Sequence, residues 1–116
     1  MSWQPLVDGA LADRARDTAL GIADELATNP RWFAESAPDL YSGAAGIALL
    51  FAYLDEVVPQ RGYGDECDRW LARAVGAIDS RMAMSLSGVV GIAWVACYLP
   101  SRKAAVVNPV NALRAE

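Results

Sequence analysis

The chain has 116 residues, 54% of them hydrophobic and 21% charged. That is length for one domain, with more apolar side chain than so small an interior absorbs, so part of it must meet a membrane, a partner or further helices of the same fold. A net charge of -4 argues against binding the backbone of a nucleic acid, which needs a basic surface.

Leu11, Ala15, Ala19, Ile22 and Leu26 recur at helical spacing within LVDGALADRARDTALGIADELAT, with charged residues around the other faces. This predicts an amphipathic, half-wet helix that Asn29-Pro30 closes, because the residue before proline resists the helical region. RWFAESAPDLY follows as a turn-rich joint in which Trp32 and Phe33 are expected to cap the end of a helix pair, the alternative being that they line a pocket. A second helix is predicted from Ser42 or Gly43 to Val58, ahead of Pro59. Its run from Ala44 to Leu54 has no charge, so it should be covered on every face. It is too short for a bilayer, which takes about 20 residues.

PQRGYGDE is a predicted turn, with Gly62 and Gly64 available for positive φ. A one-sided helix should run from Asp65 to Ile78, carrying Cys67, Trp70, Leu71 and Val75 on its apolar face. Asp65, Glu66 and Asp68 suit the positive end of its dipole. A fourth helix is predicted from Ser87 to Leu99, ahead of Pro100. The uncharged stretch around it reaches back to Met82, and that length admits a membrane helix over 82–99.

The second and fourth helices repeat one phrase. SGAAGIALLFAYL (42–54) and SGVVGIAWVACYL (87–99) share Ser, Gly, Gly, Ile, Ala, Tyr and Leu at an offset of 45. Each follows a one-sided helix. Alternating half-wet and covered helices predict helical hairpin repeats, and two such hairpins leave a flank of each covered helix bare. Ser42 and Ser87 are candidate helix caps. Gly43 with Gly46, and Gly88 with Gly91, are candidate points of close backbone approach. They lack the lysine and spacing of a phosphate loop. The two cysteines, Cys67 and Cys97, are too few for a disulfide framework and read as thiols buried in helices. With no signal-like leader at the first residues, the expected setting is cytoplasmic.

DLYSGAAGIALLFAYLDE, GYGDECDRWLARAVGAI and MSLSGVVGIAWVACYL together resemble the beginning of a lanthionine synthetase C-like protein, over residues 6 to 99. The resemblance implies an all-α fold, a toroid of α/α hairpins of which about two are present. It implies zinc-dependent thioether ring formation in modified peptides, the metal being held by two cysteines and a histidine. This chain has no histidine, and neither Cys67 nor Cys97 stands in such a motif. No catalytic residue and no zinc ligand is assigned, so no catalytic activity is expected of the chain by itself.

Pro100, Arg102, Lys103, Ala104, Ala105, Asn108, Pro109, Ala112, Leu113, Arg114 and Glu116 resemble instead the C-terminal end of a macrolide-exporter-type ABC transporter permease. The implied division is 1–99 as a partial cyclase-like domain and 100–116 as a short basic tail, with Asn108 and Pro109 opening a short helix at Val110. The alternatives are a permease remnant anchored by one membrane helix, and a non-catalytic binding or assembly module. In the module, self-association or other helical repeats cover the inner helices.

Overall fold

The computed structural model describes the backbone of residues 4–106 and the side chains of residues 4–100. The described part is all-α: α1 (Gly9–Thr28), α2 (Pro30–Glu35), α3 (Ala44–Val57), α4 (Tyr63–Gly76) and α5 (Val89–Val106). The expected tail helix at Val110 lies outside the described residues.

Helices α3 and α4 form the closest pairing, and α5 packs on both. Small residues on α3 make this possible: Ala44, Ala45 and Ala48 are fully buried around Phe51. Their missing bulk lets Trp70, Cys67, Tyr63 and Ala74 of α4 and Ile92, Val95 and Leu99 of α5 close over them. Trp70 is fully buried, and its indole Nε1–H has no hydrogen-bond partner.

The expected joint 31–41 contains a further short helix, α2, with Pro30 in its first turn and Asn29 as its cap. The Asn29 side chain accepts from Arg31 N at 3.1 Å. The two aromatics there divide their roles. Half-buried Phe33 meets Trp70 edge-on at 4.9 Å and lies under the Arg69 guanidinium at 4.2 Å. Arg73 completes the junction by donating to Ser36 Oγ at 3.0 Å and Ser36 O at 2.6 Å, carbonyls and hydroxyls that the end of α2 leaves open. Trp32 is 45% exposed and donates its indole N–H to Glu25 at 3.1 Å.

Helix α1 docks differently from its apolar stripe. Ala23 is its only fully buried residue, with Leu20, Leu26 and Ala27 packed beside it. Leu11 and Ile22 stay exposed. The docked sector lies about 100° around the helix from the stripe's centre, by the 3.6-residue turn. A polar link fixes this rotation: buried Tyr63 donates its hydroxyl to Asp24 at 3.0 Å. Burial, then the adjacent Asp24 carboxylate, raises the Tyr63 pKa above its ordinary 10.0. The folded state therefore holds this proton longer than the unfolded state. The stabilisation is complete below pH 10 and is lost as pH rises through the raised value. Urea midpoints should accordingly fall more steeply above pH 10 in the wild type than in Tyr63→Phe; parallel slopes would refute the link.

Three boundaries differ from expectation. In the 59–64 turn, Gly62 takes positive φ (79°), but the second such position is Gln60 (74°), while Gly64 lies inside α4 against Asp55. Helix α5 begins at Val89 and continues through Pro100 to Val106 instead of stopping at Leu99. Proline removes a single backbone donor there, and the helix carries on past it. Residues 82–88 are non-helical, so only the part from Val89 to Leu99 of the uncharged stretch is helix, about 16 Å at 1.5 Å per residue. No helix among the described residues is long and apolar enough to cross a membrane, so the alternative of a membrane helix over 82–99 gains no support.

Candidate functional site

The repeated phrase builds two similar helix starts. Before α3, the loop doubles back over the first turn: Ala44 N donates to Ala37 O at 2.6 Å and Ala45 N to Pro38 O at 3.2 Å. Before α5, Val89 N donates to Ala83 O at 2.9 Å. Loop carbonyls thus satisfy first-turn N–H groups that a capping side chain ordinarily serves. At the offset of 45, Ala44 and Val89 correspond, but their acceptors lie seven and six residues upstream. The second loop makes the same return with one residue fewer.

This return explains the glycines. A Cβ on Gly43 would strike Ala37 O, and one on Gly46 would strike Leu40 O. A Cβ on Gly88 would strike Ala83 O, and one on Gly91 would strike Leu86 O. In each repeat the first glycine clears the start of the folded-back loop and the second clears its end. Gly91 would also press on Leu40 Cβ at 3.1 Å, so the second helix start sits against the first loop.

The serines do other work than expected. Ser42 Oγ donates to the Asp39 carboxylate at 2.8 Å, and Ser42 N donates to the same group at 3.1 Å. The pair tightens the loop and leaves α3 without a side-chain cap. Ser87 Oγ bonds Ser85 Oγ at 2.8 Å. With no histidine in the chain, neither hydroxyl can form a serine–histidine pair. A cavity of about 280 Å³ beside the first loop is lined by Ser42, Ser36, Glu35 and Trp32 among others.

Beyond the glycine turns, α3 and α5 run side by side with one flank uncovered. The repeat-related Tyr53 and Tyr98 place their hydroxyls 3.5 Å apart, and Trp94 stacks on Tyr98 with ring centroids 4.9 Å apart. Tyr53 and Trp94 are 44% and 46% exposed. This aromatic row escaped the sequence reading, although the matching tyrosines of the two phrases marked half of it. Two hairpins are expected to leave a flank of each covered helix bare, and Tyr53 and Trp94 lie exposed there.

A family model described as lanthionine synthetase C-like protein matches residues 35–105. The chain belongs to the lanthionine synthetase C-like family. The match takes in both glycine-led helices and runs past Pro100 into the stretch that resembles a permease terminus; nothing in the comparisons supports the permease. No curated protein and no solved structure matches the chain.

The family's zinc does not fit the donors present. Cys67 is buried on α4, whereas Cys97 is exposed on α5, against the expectation that both are buried. Among the described residues, no group of three or more His, Cys, Asp or Glu side chains is placed to hold a metal. Of the acidic residues at the start of α4, Glu66 bridges Arg69 at 2.8 Å. Asp65 and Glu66 occupy the first turn, where the helix dipole favours negative charge.

Proposed function

We propose that this chain is a non-catalytic assembly module of lanthionine synthetase C-like type. It forms about two hairpins of an α/α toroid, and further helical repeats cover its inner helices. The carrying observation is the pair of glycine-clamped helices, parallel in build and adjacent in space, whose shared flank ends in Tyr53, Trp94 and Tyr98. Helical repeats bury their apolar faces on one another, so a bare aromatic flank beside a covered one is where the next repeat stacks. The reading also rests on the absence of histidine, which removes the family's ligand set.

Two measurements test it. Purified chain mixed with zinc and a dehydrated, cysteine-containing peptide should yield no thioether above the enzyme-free rate. Metal analysis after dialysis should find no stoichiometric zinc. Ring formation together with one zinc per chain would overturn the proposal.

A further inference from the structure

The apolar stripe of α1 forms a shallow, open groove, bordered outside the helix by Trp32. Leu11 is 57% and Ile22 53% exposed. The helix lies ahead of residues 35–105, so the family likeness does not say what covers it. Its own sequence does.

Arg14 stands toward one end of the groove and Glu25 toward the other. Glu25 Oε1 accepts from Asn29 and Trp32, which hold the carboxylate in place. Consider a second α1 laid antiparallel, crossing between Thr18 and Ala19. Leu11 then faces Leu26 of the second copy, Ala15 faces Ile22, and Thr18 faces Ala19. Small residues meet large ones at Ala15–Ile22, and the smallest pair sits at the crossing, where helix axes approach closest. The same register brings Arg14 within two residues of the second copy's Glu25, about 3 Å along the axis. Both charges lie on the same edge of the groove, and a two-fold axis perpendicular to antiparallel helices keeps like edges together. In this register apolar and charge matching agree, and symmetry repeats the ion pair.

We infer that α1 is a homodimer interface, on which two copies of this chain pack antiparallel through the Leu11–Leu26 stripe. This does not depend on the assembly reading, which concerns the inner-helix flank built by other residues.

Sedimentation velocity and light scattering on the full chain test it. At about 100 µM, where a micromolar Kd fills the dimer, the mass should be twice the 12.4 kDa of one chain. Ile22→Glu should give a monomer with unchanged helical circular dichroism, because Ile22 lies outside the core. Arg14→Glu should weaken the dimer about tenfold, as loss of two partly exposed ion pairs does, and adding Glu25→Arg should restore it. Trp94→Glu, on the other flank, should leave the dimer intact. A monomeric wild type overturns the inference. So does a dimer that survives both Ile22→Glu and Arg14→Glu, or one that Trp94→Glu dissolves.

Discussion

Gly91→Ala and Gly43→Ala should each cost at least about 3 kcal/mol, a large share of the 5–15 kcal/mol that holds a small domain together. The added methyl meets a backbone carbonyl, Leu86 O or Ala37 O, at a separation that real atoms do not adopt. A flexible side chain would swing aside; a carbonyl moves only with its peptide. At Gly43 that peptide also accepts the Ala44 N–H, so relief of the clash breaks the bond that starts α3. The same substitution at Gly21, in the middle of α1 with nothing near the position, should stabilise by about 0.5–1 kcal/mol through helix propensity. Urea unfolding of the three variants reads this directly. Equal effects at Gly21 and Gly43 would show that the loops do not fold back over the helix starts.

Trp70→Ala should cost about 3–5 kcal/mol, the usual range for removing a large buried aromatic. The side chain is fully buried and holds the Phe33 ring that docks α2. Trp70→Phe should cost much less, about 1–2 kcal/mol. It keeps an aromatic edge for Phe33 and removes an indole N–H that finds no partner, which offsets part of the lost volume. Thermal and urea midpoints for both variants check the order. If Trp70→Phe is as damaging as Trp70→Ala, the indole nitrogen has a partner that matters. If neither variant moves the midpoint, the α2–α4 junction is not part of the core.

The repeated phrase was the most legible feature. Ser-Gly-x-x-Gly announced two equivalent helices, the prolines and glycines bounded most of the elements, and the want of histidine spoke against the family's chemistry. The job of the serines was not legible. A serine before a helix ordinarily caps it, but here carbonyls seven and six residues upstream reach the same N–H groups, and a local pattern does not contain that return. Pro100 misled for a related reason. A proline marks a probable stop, but α5 tolerates the loss of one donor and runs on to Val106.

The sequence by itself determined that α1, α3, α4 and α5 are helices, because helical periodicity and breakers act over a few residues; it did not reveal α2, whose six residues carry no periodic stripe. It determined that two of those helices begin alike, because a repeat needs no coordinates. Only the tertiary structure decided which faces are covered. Ala23 turned inward on α1 while Leu11 and Ile22 stayed out, since the Tyr63–Asp24 bond sets the rotation and small residues permit the closer approach. Likewise, only the packing of α3 beside α5 left Tyr53 and Trp94 in the open and sent Cys97 to the surface. Hydrophobicity fixes how much surface must be buried; the direction in which it is buried depends on what the neighbouring helices present.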